Sequence, residues 1–435
     1  MKVYSEDLVR KHMGEAHIPD LASATIGQMM CLAHSIADST GIPFIHLEQG
    51  DPGLPASVIG INAEIEALKR GVPGKYPPSA GLPELKEAGS RFLKAFLNID
   101  IKPESVVPVS GTVGGSFMSL LLLAQTDVKK NKILFIDPCF PLQQAQCRML
   151  GIQWREFDIF SVRGEKLRAA LEKELAHGDI AAIAYSNPNN PAWICLDDSE
   201  LRIIAELADK YDAIVLEDQA YFCMDFRRDL SHPFEAPFAP SIANYTSNCI
   251  VMTSASKVFS YAGGRIGLVC ISDKLYNREF PALAERYGNS GAYGPTFIDY
   301  VIENNTCGTS CATQWAYTAM LNASIEGKLC FVEDMKEYGR RAARLKKIFT
   351  DNGFHIVYSH DLKDEIGDGF FFTVGYGDLS GAELIARLLY YGVSCVNLAN
   401  FGSKEKGLRI CTSNMKEEDY PVLEERLRAF NEDRE

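Results

Sequence analysis

Residues 254–267 read SASKVFSYAGGRIG. Lys257 sits among small and hydroxylated residues, and Arg265 follows eight positions later inside a glycine-rich turn. Apolar runs flank the stretch, CIVM at 249–252 and IGLVCI at 266–271, so the lysine is carried between two strand-like segments. A lysine in that position needs an ion-pair partner or a chemical task, because an unpaired buried ammonium is costly. Its amine is a competent Schiff-base nucleophile. Ser254, Ser256 and Arg265 supply hydroxyls and a forked guanidinium, the groups that suit a phosphate. A reactive lysine beside a phosphate site points to pyridoxal phosphate.

Other polar residues fall at the carboxyl ends of strand-like runs, where open parallel sheets gather their ligands. VSGTVGGSFMSLLLLA at 109–124 is a glycine turn running into an apolar helix, which leaves free amides and the positive end of the helix dipole for an anion. SNPNNPAW at 186–193 ends a strand in a rigid polar corner, with an ordinary turn as the competing reading. EDQAYF at 217–222 puts Asp218 at a strand end and Tyr221 three residues later. A carboxylate there can hold a cofactor nitrogen protonated and a phenol can bond a ring oxygen; a helix cap is the alternative.

The elements that must position these residues are visible as alternating patterns. Strand-like runs at 132–137, 180–186, 213–218, 249–254 and 265–272 are separated by amphipathic stretches such as SELRIIAELADKY at 199–211. That alternation predicts an α/β fold with a mainly parallel sheet between helices. After residue 312 the pattern changes to a long helical stretch, shorter strands (GFFFTVGY, VSCVNLA, LRICTS) and a closing helix from about 415, which predicts a smaller α+β domain. The boundaries read as a large cofactor-binding domain over 51–305 and a small domain built from 1–50 and 306–435. Residues 273–311 show the weakest periodicity, and their glycines and aromatics suggest a mobile cover over the site.

A chain of 435 residues with 46% hydrophobic and 23% charged residues can bury more than one core, and it is not disordered. Its net charge of −13 and the absence of any long run of Lys or Arg argue against a nucleic-acid partner. The N-terminus lacks a signal-peptide core and the longest apolar runs, such as SLLLLA, fall far short of a membrane span, so a cytoplasmic protein is expected. The 12 cysteines include no C-x-x-C pair and the eight histidines are scattered; reduced thiols and no structural metal are expected.

Taken in order, the glycine turn, DPCFP, NPNNP, DQAY, SASK and the following arginine resemble the fold-type I pyridoxal-phosphate enzymes, specifically the class I/II aminotransferases. The resemblance runs from LEQGDPGLPAS at 47–57 to GLRICTSN at 407–414 and implies a seven-stranded sheet in the large domain. It implies that Lys257 forms the internal aldimine and then shuttles the substrate proton. It makes Asp218 the partner of the pyridinium nitrogen, Asn190 and Tyr221 the partners of the 3′-oxygen, and Phe140 the stacking ring. Thr112, Val113, Ser254 and Arg265 would hold the phosphate. Tyr76 would reach that phosphate from a second subunit, implying a homodimer with shared sites, and Arg409 with Gly50 would receive the substrate α-carboxylate. Ala192 and Trp193 depart from the Thr-Gly common in relatives.

The activity implied is transfer of an amino group between an L-amino acid and a 2-oxo acid. A carbon–sulfur β-lyase or other elimination enzyme on the same fold is the alternative, since one carbanion serves both outcomes. A regulatory protein built on this fold would need a winged helix, for which residues 1–45 are too short. A nicotinamide enzyme would need a G-x-G-x-x-G after a strand, and none is present.

Overall fold

The computed structural model describes residues 2–433. They divide into two compact units. One runs to Leu54, takes in Asn190–Ile194 and resumes at Lys336; the other comprises Pro55–Asn189 and Cys195–Met335.

The second unit is built on seven strands: β1 (Val106–Val109), β2 (Lys132–Asp137), β3 (Trp154–Asp158), β4 (Ile180–Ser186), β5 (Ile214–Gln219), β6 (Cys249–Ser254) and β7 (Gly267–Ile271). Their order across the sheet is β1-β7-β6-β5-β4-β2-β3, and β7 alone runs antiparallel to its neighbours. β4, β5 and β6 are buried along their whole length, as strands covered on both faces must be. Their continuous apolar sequence made them readable, and β2, β4 and β6 begin and end where the sequence pattern put them. β1 and β3 did not stand out. They are the two edge strands, and β3, WREFD, keeps no residue fully buried.

Residues 273–311 differ from expectation. They form short helices at Asp273–Tyr276, Pro281–Tyr287 and Tyr293–Thr296, then a π-helical turn Phe297–Ile302 that runs on as helix Glu303–Thr306. Tyr293, Phe297 and Ile302 are almost fully buried in the same apolar cluster as Val107, Val269 and Ile271 of the sheet. Aromatics that read as a cover are core residues, and the periodicity was weak because each helix lasts little more than one or two turns.

The sequence boundary at 305/306 and the contact boundary at 335/336 differ by the helix Cys311–Ile325. This helix packs on helices Val58–Lys69 and Pro83–Leu97, where a Cβ on Gly60 would lie 2.7 Å from Met320 Sδ. Gln314 Oε1 also accepts from the Leu82 amide at 2.8 Å.

The first unit carries a four-stranded antiparallel sheet of β8 (His355–Ile356), β9 (Phe371–Gly375), β10 (Val396–Asn397) and β11 (Leu408–Cys411), in the order β10-β11-β9-β8. Helices Gly381–Tyr390 and Asp419–Glu432 complete its core through Leu384, Leu388, Leu423 and Leu427. Among the described residues no helix is long and apolar enough to cross a membrane, and no three His, Cys, Asp or Glu side chains are grouped to hold a metal ion.

Candidate active site

At the carboxyl end of β6 the chain passes directly into the one-turn helix Ala255–Val258, which carries Lys257. Ser254 caps that helix: its hydroxyl accepts from the Ser256 amide at 3.0 Å and donates to the Ser256 hydroxyl at 2.9 Å. The turn that follows ends at Arg265, which is left-handed (φ 48°) and donates from Nη1 to the Ala262 carbonyl at 2.9 Å.

β1 ends beside this turn, and the helix Gly111–Leu123 begins there. Gly111 has φ 73°, and a Cβ built on it would lie 2.5 Å from Arg265 Nη2. Gly267, the partner of Ser254 in the sheet, would put a Cβ 3.3 Å from the Thr112 amide nitrogen. Two glycines thus bring Arg265, Ser254 and the first amides of the helix, Thr112 and Val113, to one place. A guanidinium, a hydroxyl and a helix N-terminus form a cradle for a phosphate.

Asp218 lies near the carboxyl end of β5, the central strand, and is almost fully buried. One carboxylate oxygen accepts from Gln143 Nε2 at 3.2 Å and the other from the Ala220 amide at 3.1 Å. Burial pushes its carboxyl up to about 7, and the neighbouring Glu217 adds to the rise. Glu217 points to the other face of the sheet, as the next residue of a strand must, and is held there by Ser241 Oγ at 2.5 Å, Gln219 Nε2 at 3.0 Å and Tyr185 Oη at 3.1 Å. Two neutral donors do not repay the burial of a full negative charge, so the Asp218 setting calls for a cation. A protonated pyridinium nitrogen fits that demand, and the glycine cradle fits the phosphate of the same cofactor.

Phe140, half-buried, begins the helix Pro141–Leu150, whose Gln143 reaches Asp218. From the same helix Gln146 donates to the Val113 carbonyl at 2.8 Å and accepts from Ser116 Oγ at 2.8 Å, tying it to the phosphate-cradle helix. The sequence reading missed both glutamines. The run QQAQ at 143–146 was their signal, in a stretch where only the preceding DPCFP drew notice. Tyr221, buried, follows β5, and Tyr76 is 89% exposed.

In the other unit, Arg409 on β11 is only 1% exposed. Its Nη1 donates to Asn190 Oδ1 at 3.4 Å and its Nη2 to the Glu48 carbonyl, and its Cζ lies 4.6 Å from the centre of the Phe371 ring. Gly50 borders the same ring: a Cβ there would stand 3.6 Å from Phe371 Cζ. Gly50 and Arg409 therefore border Phe371, and Asn190 lies against Arg409.

A seven-stranded, mainly parallel sheet with a lysine just after β6 and a buried aspartate near the end of its neighbour β5 defines the fold-type I pyridoxal-phosphate class. Residues 43–427 match the family described as aminotransferase class I and II, and the chain belongs to that family. It is a pyridoxal-phosphate-dependent aminotransferase. A probable aspartate aminotransferase of Methanocaldococcus jannaschii is 25% identical over 78% of this chain and 81% of its own length. A (5-formylfuran-3-yl)methyl phosphate transaminase of the same organism is 25% identical over 94% and 96%. Among solved structures, an alanine aminotransferase of Pyrococcus furiosus superposes with a TM-score of 0.75 at 20% identity, covering 97% of this chain and 99% of that one. The family and these names favour transamination, and the carbon–sulfur lyase alternative is not favoured.

The raised carboxyl of Asp218 fixes the sign of a pH effect on the protein without cofactor. The folded state keeps a proton between about pH 4 and pH 7 that the unfolded chain has released, so this group lowers stability as pH rises through that window. Asp218→Asn should stabilise the cofactor-free protein by on the order of 1–3 kcal/mol at pH 8, with the gain fading towards pH 4, while weakening cofactor affinity. Urea unfolding from pH 4 to 8 checks this; a gain independent of pH would contradict it.

Proposed function

We propose that this aminotransferase moves the amino group of an L-amino acid to a 2-oxo acid in a ping-pong cycle, with Lys257 as the residue that carries the cofactor. When bound, pyridoxal phosphate supplies the electron sink that makes the substrate Cα–H acidic. Lys257 Nζ takes the proton from substrate Cα and returns it to the other end of the reacting system. Asp218 would keep the ring nitrogen protonated, because the attraction of the two opposite charges offsets the burial that disfavours each of them alone. Asn190 and Tyr221 would bond the 3′-oxygen, and Phe140 would pack on the ring. Arg265, Ser254 and the Thr112 and Val113 amides would hold the phosphate. Arg409, with Gly50 beside it, binds the substrate α-carboxylate in a two-point pair.

The observation that carries the amino-acid reading is Arg409. A guanidinium that is 1% exposed, lies on the Phe371 and Phe401 rings and donates to Asn190 Oδ1 and the Glu48 carbonyl has the planar fork that suits a substrate carboxylate. Arg409→Lys removes the fork and keeps the charge. It should retain the cofactor and lose on the order of 2–4 kcal/mol of transition-state stabilisation towards amino acids only. If an amine lacking the carboxylate lost as much in kcat/KM, or if the amino acid lost nothing, Arg409 would not be the clamp.

The homodimer is proposed on two surface features. Tyr76 is 89% exposed, and Val58, Ile61, Ile65 and Leu68 form an apolar stripe on the helix Val58–Lys69 with 66, 39, 42 and 49% exposure. Such a stripe at helical spacing is ordinarily covered, and a second copy of the chain would cover it while bringing Tyr76 to the partner's phosphate. A cytoplasmic location is proposed on the state of the cysteines, all 12 of which are free thiols. Mixed dimers of Tyr76→Phe and Lys257→Ala subunits should regain a fraction of wild-type sites, read as activity and cofactor retention. No recovery in demonstrably mixed dimers would mean that each subunit works alone.

A further inference from the structure

Trp193 is fully buried and has φ 63°, a left-handed conformation that is strained for a residue with a side chain. An ordinary core filler does not need that backbone. The indole meets Phe371 edge to face, with ring centres 6.3 Å apart and planes at 65°. It also leaves no space at Gly369, where a Cβ would fall 2.0 Å from the indole Cε2. Phe371 in turn lies under the Arg409 guanidinium at 4.6 Å, and Phe401 lies on that guanidinium at 5.1 Å.

β9 and β11 explain the arrangement. Phe371 pairs with Cys411 and Thr373 with Arg409, so Phe371 and Arg409 are diagonal neighbours on one face of the sheet. The Arg409 guanidinium lies on the Phe371 ring, so the placement of that ring limits the planes the guanidinium can take. The indole packs against the ring from one side and Gly50 borders it on another.

We propose that Trp193 is a positioning residue: acting through Phe371, it fixes the plane of the Arg409 guanidinium so that the substrate carboxylate meets a fork already set. The proposal rests on the reading of Arg409 as the carboxylate clamp. The strained backbone at 193 is then retained because glycine, which relieves the strain, would release the ring.

The test uses dimeric holoenzyme of wild type, Trp193→Gly, Trp193→Phe, Phe371→Leu and Arg409→Lys. The readouts are kcat and KM for the best amino-acid donor, the same constants for an amine lacking the carboxylate, and the dissociation constant of 3-phenylpropionate by calorimetry. Trp193→Gly and Phe371→Leu should each raise KM for the amino acid, and weaken 3-phenylpropionate, roughly 10-fold, with kcat within about 3-fold of wild type and the amine unaffected. Trp193→Phe should recover most of the loss. Equal losses for amine and amino acid, or unchanged KM and carboxylate affinity in both Trp193→Gly and Phe371→Leu, would overturn the proposal. Should Trp193→Gly not fold, Phe371→Leu and Trp193→Phe decide it on the same readouts. If Arg409→Lys itself spares the amino acid, the clamp reading falls; if Arg409→Lys is impaired and the aromatic variants are not, only the role of Trp193 falls.

Discussion

A carboxyl group is buried near the carboxyl end of the central strand, where burial works against its charged form, and much of the second unit is arranged around it. Asp218 has two neutral donors, Gln143 Nε2 and the Ala220 amide, and a carboxyl pushed up to about 7. Water cannot solvate it there, and the sheet cannot move away, because β4, β5 and β6 are buried from end to end. A protonated ring nitrogen of the cofactor would supply the matching charge. Cofactor affinity and the pH dependence of the empty protein therefore share one origin.

The glycine cradle follows a complementary logic, that of room. Gly111 and Gly267 stand where any side chain would strike Arg265, the Thr253 carbonyl or the start of the helix. Backbone amides can approach a phosphate only where side chains are missing, so a turn of low intrinsic stability is placed between two strands that hold it still. In the first unit Arg409 is a buried cation that lies on the Phe371 and Phe401 rings and donates to Asn190 Oδ1 and the Glu48 carbonyl.

The sequence exposed what depends on chain-local chemistry. Lys257, Arg265, Asp218 and Asn190 stand at or near strand ends, and the continuous apolar runs that mark those strands draw the eye to them. What it hid depends on neighbours distant along the chain. Gln143 looks like any surface glutamine until its helix is laid against β5. Trp193 read only as a departure from the Thr-Gly common in relatives, whereas it is fully buried against Phe371, a residue distant along the chain. Edge strand β3 carries charged residues in place of an apolar run, and the short helices within 273–306 are too brief for periodicity to register. The helix Cys311–Ile325 has apolar residues on every side, so nothing in its pattern told which unit it joins.

The most direct measurement is covalent mapping of the cofactor. Borohydride treatment of the yellow holoenzyme, followed by proteolysis and mass spectrometry, should place the reduced pyridoxyl group on Lys257, and Lys257→Ala should yield protein that retains no borohydride-fixed cofactor. A reduced pyridoxyl group on a different lysine, in protein whose Lys257 is unmodified, would contradict the account at its centre.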